Sequence, residues 1–370
     1  MSSRAGIYYW KCDRAHALHG TTLKGAERDA PQAARLLTGL LRAPLDAPDL
    51  ELRPAGGQGN HLTFTAHAGH GGGRTWFVRV EDGPEADDYM EVESALLASL
   101  KAGGLRVPAV IHSDATRVHA PFAVQVLERV EAPDLNRHFK VGELDLNAAL
   151  ARIGEAVAQW QALPVQGYGP FDIAALRAGA GPGRFKGLHA AADDYYFLNF
   201  ERHLAFLVER GFIEAAEAAA IRDIAQAHGS LLRDTPPCLV HKDLALWNVL
   251  GPPAGPYTYI DWDDAVSGDA MDDFSLLACF HPAAGVRAAL DAYASRRPLP
   301  PEHATRFWLH LLRNMLVKSV IRVGAGYFER NDDLFILGAG GGAGLKRFTL
   351  ARLRAAADAL REGRNSIDYE

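Results

Sequence analysis

The feature that most constrains the fold is a change of pattern near residue 131. Between residues 51 and 127, short runs of β-branched and aromatic residues alternate with glycine-rich turns, a pattern typical of paired strands. After residue 131 the apolar residues recur every three or four positions, as on one face of a helix. The break at residues 131–133, Glu-Ala-Pro, is typical of a boundary. We therefore expect a strand-rich unit followed by a larger, mainly helical one.

Individual elements follow from the same spacing. In the first part we predict a helix over residues 31–42, strands over 62–65, 75–80, 107–111 and 122–127, and a helix over 90–101. In the second part we predict helices over residues 146–160, 191–210, 213–232, 302–323 and 344–361.

Polar residues at strand ends between residues 238 and 261 indicate a catalytic site. A short apolar strand ends at His241, and Asp243 follows it; Asn248 begins the returning strand of a hairpin, and Asp261 closes it. Asp261 stands 261 − 243 = 18 residues after Asp243. Phosphoryl transfer needs a carboxylate to deprotonate a hydroxyl and oxygen ligands to hold Mg²⁺ on the phosphates. We therefore predict that Asp243 is the catalytic base and that Asn248 and Asp261 are the metal ligands.

With the acidic turn that follows, Gly268-Asp269-x3-Asp273, these motifs resemble the aminoglycoside phosphotransferase and choline kinase superfamily of protein-kinase-like small-molecule kinases. The resemblance covers roughly residues 50–280. It implies an α+β, two-lobed, protein-kinase-like fold: residues 1–50 an extension and helix, 51–131 a small antiparallel-sheet lobe that binds nucleotide, and 132–370 a larger helical lobe for catalysis and acceptor binding. It also implies ATP as donor and Mg²⁺ as cofactor.

The resemblance further implies a set of nucleotide contacts. A glycine-rich loop would cover the phosphates, Arg79 would hold them while pairing with Glu93, and the backbone near residue 130 would frame the adenine. A plain turn and a surface charge pair are the alternatives for the first two features. The expected cofactor-binding residues are Gly56, Gly57, Gln58, Gly59, Asn60, His61, Arg79, Glu93, Leu127, Glu128, Arg129 and Val130. Arg79 departs from the lysine usual in protein kinases.

The acceptor is left open because its cues conflict. Asp193 and Asp194 lie beside two tyrosines and suit an amine, whereas Arg313, Asn314 and Lys318 recur on a helix that is either a solvated face or a site for an anionic or polyhydroxylated acceptor. Three residues near the predicted metal ligands have both a structural and an acceptor-facing interpretation: Trp247, Asp263 and Asp264. Asp269 and Asp273 are expected to brace the catalytic loop.

The aromatic and basic segment at residues 8–11, Tyr-Tyr-Trp-Lys, also has two interpretations. It either packs on the body of the protein or forms an arm that touches the substrate.

Composition sets the limits. A net charge of −6 argues against unspecific nucleic-acid binding, and three distant cysteines argue against a disulfide framework or a zinc site. Without a run of about 18 apolar residues, no membrane segment is expected, and we predict a cytoplasmic enzyme with a small-molecule acceptor and an open oligomeric state.

Two rival functions remain: a Ser/Thr protein kinase, disfavoured because no long activation segment follows Asp261, and a non-catalytic nucleotide-binding regulator. The glycine-rich residues 338–344 lack a surrounding βαβ pattern and predict a loop.

Overall fold

The computed structural model describes residues 4–14, 30–55, 61–69, 73–83, 85–179, 181–233, 235–331, 336 and 340–369. These residues form two compact units. The first comprises residues 30–137 and 246–263, and the second comprises residues 4–14, 138–245 and 264–369. The units group some residues differently from the predicted lobes: residues 30–50, 132–137 and 246–263 lie in the strand-rich unit, and residues 4–14 lie in the helical one.

Strands and helices of the described residues are given in chain order. The strands are β1 Glu51–Pro54, β2 Leu62–Ala68, β3 Arg74–Glu81, β4 Val110–Asp114, β5 Ala123–Glu128, β6 Tyr168–Phe171, β7 Gly187–His189, β8 Cys238–Val240, β9 Val249–Leu250, β10 Thr258–Tyr259 and β11 Val266–Gly268. The helices are α1 Trp10–Asp13, α2 Ala30–Leu41, α3 Tyr89–Ala102, α4 Leu135–Lys140, α5 Leu146–Trp160, α6 Ile173–Ala178, α7 Ala192–Tyr196, α8 Phe200–Glu209, α9 Ala215–Ala227, α10 Gly229–Arg233, α11 Asp272–Ala278, α12 Ala283–Ala294, α13 His303–Gly324 and α14 Gly341–Glu362.

An antiparallel sheet with the order β1-β2-β3-β5-β4 forms the centre of the first unit. Alternate side chains such as Phe64, Val78 and Val126 are buried in a core that also contains Leu37 of α2. The sheet forms because apolar residues with period two place one strand face on this core. Strand β4 begins at Val110 rather than at the predicted residue 107, which is consistent with Pro108 having no N–H to offer a ladder.

A short hairpin of the first unit carries the two predicted metal ligands. Strands β9 and β10 pair antiparallel, with Tyr259 opposite Val249. Asn248 precedes β9, and its carbonyl accepts a hydrogen bond from the Ile260 N–H at 3.0 Å. Asp261 follows directly. The hairpin thus brings Asn248 and Asp261 to the same end of the pair, as the sequence predicts.

Helices dominate the second unit, together with a small sheet of order β7-β6-β11-β8. Strand β8 leads into the predicted catalytic loop and is held by β11, since Val240 lies opposite Val266. Helices α5 and α12 approach closely at Gly154, where an added Cβ would lie 2.0 Å from the carbonyl oxygen of Ala289. This contact requires the absence of a side chain.

Two predicted helices are interrupted. Residues 191–210 divide into α7 and α8 at Asn199, which has a left-handed φ of 58°. Residues 213–232 divide into α9 and α10 around His228. Among the described residues no helix combines the length and the apolar character needed to cross a bilayer.

Candidate active site

A buried ion pair dominates the first unit. Arg79 lies on β3 and donates a hydrogen bond of 2.6 Å from Nη1 to Glu93 Oε1 on α3. Both side chains are buried, so the surface-pair alternative is wrong. Although burial acts to lower the pKa of Arg79, the carboxylates of Glu93, Asp263 and Asp261 raise it above its usual value. Arg79 therefore stays a cation.

The same pair fixes the start of the turn that follows β10. Glu93 Oε1 accepts the Trp262 N–H at 3.2 Å. Arg79 Nη2 lies 3.4 Å from both Asp261 Oδ1 and Asp263 Oδ2. The backbone of Asp261 has a left-handed φ of 67°, which these contacts stabilise. The turn is therefore held to Arg79 of β3 through the side chains of Asp261 and Asp263.

Asn248 and Asp261 form a donor set suited to magnesium. Asn248 is buried with an exposed fraction of 5%, whereas the side chain of Asp261 is 34% exposed. Their amide and carboxylate oxygens are the hard ligands that Mg²⁺ prefers. The residues present therefore fit the ion, and Arg79 beside Asp261 adds a positive charge of the kind that phosphate oxygens attract.

His61 of the predicted phosphate loop pairs with two acidic residues. It lies 2.8 Å from Asp263 Oδ2 through Nε2 and 3.2 Å from Glu81 Oε2 through Nδ1. Burial and the charge of Arg79 act to lower its pKa, but the Asp263 and Glu81 carboxylates raise it to about 9. Protonated His61 thus anchors this end of the loop. The remaining predicted loop residues, Gly56, Gly57, Gln58, Gly59 and Asn60, lie outside the described residues.

The predicted adenine segment follows β5. Leu127 is buried and Glu128 is exposed at the end of the strand. The Glu128 side chain accepts the Ala109 N–H at 3.0 Å and pairs with Lys101 at 3.1 Å, which fixes the strand end before Arg129 and Val130. A role of these residues in binding adenine stays a prediction.

Asp243 in the second unit is a buried carboxylate surrounded by donors. Its Oδ1 accepts the Tyr9 hydroxyl at 2.8 Å and Lys318 Nζ at 3.2 Å, and its Oδ2 accepts Lys11 Nζ at 2.7 Å. Burial, the largest effect, acts to raise its pKa, but Lys11, Lys318 and Tyr9 together lower the pKa well below its usual range. Asp243 is therefore an anion, and it already accepts a hydrogen bond from a hydroxyl group.

Hydrogen bonds to the Asp273 carboxylate hold the loop that presents Asp243. This carboxylate accepts the backbone N–H groups of His241 and Lys242 at 3.1 and 3.3 Å, and the Trp160 indole N–H at 3.0 Å. Burial and the charge of Asp272 raise the pKa of Asp273 to about 7. The predicted bracing by Asp273 is confirmed. Asp269 instead binds Thr235 and Arg306, away from the backbone of this loop.

Lys242 fills the position between His241 and Asp243 and points into the protein. Its Nζ donates to Asp272 Oδ2 at 2.7 Å and to Asn314 Oδ1 at 3.3 Å. The Asn314 amide in turn donates to Asp272 and Ser275. Lys242 has a left-handed φ of 66°, so this buried network holds a strained loop residue in place.

Residues 8–13 pack as an integral part of the second unit. Asp13 accepts the backbone N–H groups of Tyr8 and Tyr9, and lies 2.6 Å from His203 Nε2. Burial acts to raise the pKa of Asp13, but the hydrogen bond from His203 and its other donors lower it to about 2. The Arg313 guanidinium lies 3.6 Å above the Tyr8 ring and bonds to His203. The packed interpretation is confirmed, and the segment also contacts the predicted base.

The polar residues of helix α13 do not lie on a solvated face, so the prediction of a solvated face is wrong. Arg313, Asn314 and Lys318 are all buried. Arg313 also donates to the carbonyls of Tyr196 and Leu198, so it and Asn314 hold neighbouring elements, while Lys318 contacts the predicted base. Helical spacing alone could not distinguish these roles.

The other predicted acceptor residues differ from one another in burial and in their partners. Asp263 pairs with Arg79 and His61, which supports its loop-anchoring interpretation, while Asp264 Oδ2 lies 3.6 Å from Lys11 Nζ. Trp247 is half-buried, so both of its interpretations stay open. Asp193 is half-buried and Asp194 is exposed on α7. Their roles toward an acceptor stay predictions.

Sequence reasoning did not find Tyr9 and Lys11 as partners of Asp243. They lie 234 and 232 residues away from it along the chain. The signal was the unusual aromatic and basic composition of residues 8–11, which showed a special segment without showing its contact.

The arginine–glutamate pair and the Asn–Asp hairpin of the first unit, and the buried loop carboxylate of the second unit, are the residue types that phosphoryl transfer uses. The family model for the phosphotransferase enzyme family (APH) matches residues 51–308. The chain belongs to this family, and the predicted family, kinase class and protein-kinase-like α+β fold are confirmed.

Solved structures share the fold at low sequence identity. The aminoglycoside phosphotransferase APH(4)-Ia is 19% identical with a TM-score of 0.58, over 87% of this chain and 99% of that one. A choline/ethanolamine kinase family protein from Mesorhizobium loti is 17% identical with a TM-score of 0.56, over 90% and 100%. Choline kinase LicA from Streptococcus pneumoniae is 16% identical with a TM-score of 0.54, over 90% and 99%. A search of curated protein sequences gave no match.

Proposed function

We propose that this phosphotransferase moves the γ-phosphoryl group of ATP to a hydroxyl of a small molecule, with Asp243 as the base. The observation that carries the proposal is the Tyr9 hydroxyl 2.8 Å from Asp243 Oδ1, which is hydrogen-bonding geometry for a hydroxyl facing a general base. Lys11 and Lys318 keep the carboxylate ionised, which is the protonation state that a general base needs, and at the same time they lower its basicity. The acceptor classes to be tested are amino sugars, sugars, amino alcohols and aminoglycoside-like antibiotics.

Related structures support the choice of nucleotide. Complexes of APH(4)-Ia variants contain ADP or AMP-PNP together with hygromycin B. In this chain, Arg79, kept in place by Glu93, is the cation available for the phosphates. His61 would position the end of the phosphate loop, and residues 127–130 would frame the base.

Magnesium would be held by Asn248 and Asp261. When bound, the ion neutralises charge on the phosphates and favours departure of ADP. The residues of this chain do the rest: Arg79 binds the phosphates, Asp243 orients the acceptor hydroxyl and takes its proton, and Asp273 holds the loop that presents Asp243. The transferred phosphoryl group forms a bond to the acceptor oxygen as its bond to the ADP oxygen breaks.

A coupled assay of ADP release over a panel of acceptors tests the proposal. Magnesium-dependent ADP release stoichiometric with one phosphorylated acceptor is expected. Labelling of general protein substrates instead would favour a protein kinase. A thermal shift with Mg-ATP but no transfer to any acceptor would favour a nucleotide-binding regulator.

A further inference from the structure

The Tyr9 hydroxyl occupies the position on Asp243 at which a proton donor meets this carboxylate. It donates to Asp243 Oδ1 at 2.8 Å and accepts a hydrogen bond from Lys318 Nζ at 3.4 Å. Lys318 Nζ also donates to Oδ1 at 3.2 Å. A group at this position therefore needs one O–H to donate and one lone pair to accept, and an alcohol, a phenol and water all provide both.

The other oxygen of Asp243 is held separately. The Lys11 ammonium donates to Oδ2 at 2.7 Å, which fixes the carboxylate so that Oδ1 faces the Tyr9 hydroxyl. Asp243 and Tyr9 are each 3% exposed. Oδ1 of the base is thus covered by a hydroxyl group of the protein itself.

The segment that carries Tyr9 keeps this hydroxyl in place. Asp13 Oδ2 accepts the N–H groups of Tyr8 and Tyr9 at 3.0 and 3.1 Å, and the Tyr195 hydroxyl donates to the Tyr8 carbonyl at 2.7 Å. Lys318 Nζ lies 4.9 Å from the centre of the Tyr9 ring. Because these contacts fix the backbone, the hydroxyl leaves Asp243 when the Tyr9 side chain changes rotamer, not when the segment moves.

Loss of the hydroxyl would open a site for one water molecule. An oxygen at that position has two polar partners, Asp243 Oδ1 and Lys318 Nζ, and a buried water molecule needs two to four. A water there would donate a hydrogen bond to the general base, as an acceptor hydroxyl does. It would therefore be oriented as a nucleophile.

We propose that the Tyr9 hydroxyl keeps water from Asp243 until an acceptor displaces it, and that Tyr9 thereby suppresses hydrolysis of ATP. This inference rests on the proposed function for the role of Asp243. In the suppressed reaction the water oxygen bonds to the γ-phosphorus, the bond from that phosphorus to the ADP oxygen breaks and leaves its electron pair on ADP, and the water proton passes to Asp243. An acceptor makes further contacts that offset the lost Tyr9 hydrogen bond, whereas water makes none, so Tyr9 selects between the two nucleophiles.

The first experiment measures ATP hydrolysis without any acceptor. Tyr9→Phe removes the hydroxyl and keeps the ring, so phosphate release from Mg-ATP should rise about 2- to 10-fold over wild type, the factor that one hydrogen bond corresponds to. Tyr293→Phe on α12 is the matched control, because it removes a buried hydroxyl that donates to Gln161 Oε1 at 2.9 Å. The control should keep the wild-type rate. A rate in Tyr9→Phe no higher than in the control overturns the inference.

A double variant shows whether the effect passes through Asp243. In Tyr9→Phe/Asp243→Asn the base is absent, so the hydrolysis rate should fall to that of Asp243→Asn alone. A rise that persists in the double variant would contradict the inference, because it would come from a general loosening of the unit.

Mass spectrometry distinguishes a barrier from an acceptor. Wild-type protein incubated with Mg-ATP should carry no phosphate on Tyr9. A phosphate there would overturn the inference, because the hydroxyl would then be a substrate of the reaction.

Two combinations of results separate this inference from the proposed function. Hydrolysis that rises in Tyr9→Phe and falls again without Asp243 supports the inference even if no acceptor of the panel is phosphorylated. Transfer to an acceptor together with unchanged hydrolysis in Tyr9→Phe rejects the inference and leaves the proposed function in place.

Discussion

Removing Glu93 tests the buried ion pair that organises the first unit. Arg79 is 5% exposed and Glu93 is 1% exposed, with 2.6 Å between Nη1 and Oε1. Removal of one partner of a buried pair typically costs about 3–5 kcal/mol, because the other charge remains buried. Asp261 and Asp263 stay 3.4 Å from Arg79 and offset part of this loss. We therefore expect Glu93→Ala to lower the free energy of unfolding by about 3 kcal/mol.

Two further variants separate charge from hydrogen bonding. Glu93→Gln keeps an acceptor for the Trp262 N–H and should cost about 1–2 kcal/mol. The double variant Arg79→Met/Glu93→Leu removes both charges of the pair and should recover only part of the loss, because Asp261 and Asp263 then lack their cation and the Trp262 N–H lacks its acceptor, and nucleotide binding stays weak.

Urea unfolding followed by circular dichroism and tryptophan fluorescence gives the free energies where the transitions coincide, and titration calorimetry gives nucleotide affinity. The control is Glu155→Ala, which breaks an exposed pair with Arg296 at 2.9 Å and should cost less than about 1 kcal/mol. A loss for Glu93→Ala no larger than that of the control would refute the reasoning.

Three other results are expected. Burial and the charge of Arg352 lower the pKa of His281 to about 4 in the folded protein. Because the unfolded chain binds this proton near pH 6.5, the folded protein has its full stability above pH 6.5 and loses about 3 kcal/mol as the pH falls to 4. His281→Leu should therefore flatten the profile of unfolding free energy against pH over this range. Gly154→Ala should destabilise by about 1–3 kcal/mol through collision with the Ala289 carbonyl in thermal melts, whereas Gly39→Ala on α2, where an added Cβ would meet no heavy atom within 4 Å, should stabilise by about 0.5–1 kcal/mol. Asp273→Ala should leave the His241 and Lys242 N–H groups and the Trp160 N–H without their acceptor and lower both the melting temperature and kcat; a normal kcat would contradict the bracing role.

Local patterns predicted much of the fold and of the first half of the site. Strands β2, β3 and β5 and helices α2, α3 and α14 lie within a few residues of their predicted bounds, because period-two and helical spacing report directly on the buried face. The Arg79–Glu93 contact could also be predicted, since the pair joins consecutive elements through the motif order of the family.

Long-range burial could not be predicted in the same way. The polar residues of α13 have the spacing of a solvated face, and only the elements packed around them, such as Tyr8 and Tyr196 against Arg313, show that they are internal. The contact of Lys11 with Asp243 spans 232 residues. Neither residue carries a local signal for the other, so the composition of the N-terminal segment left two interpretations open.

The most direct test of the central claim is the effect of Asp243→Asn on the separate steps. The variant keeps the size of the side chain and removes the base, so we expect Mg-ATP affinity to stay within about threefold of wild type while kcat falls about 10²–10⁴-fold, the usual contribution of general base catalysis. Asp291→Asn, at an exposed position of α12, is the matched control and should keep full activity. Turnover in Asp243→Asn comparable to that of the control would contradict the assignment of Asp243 as the base.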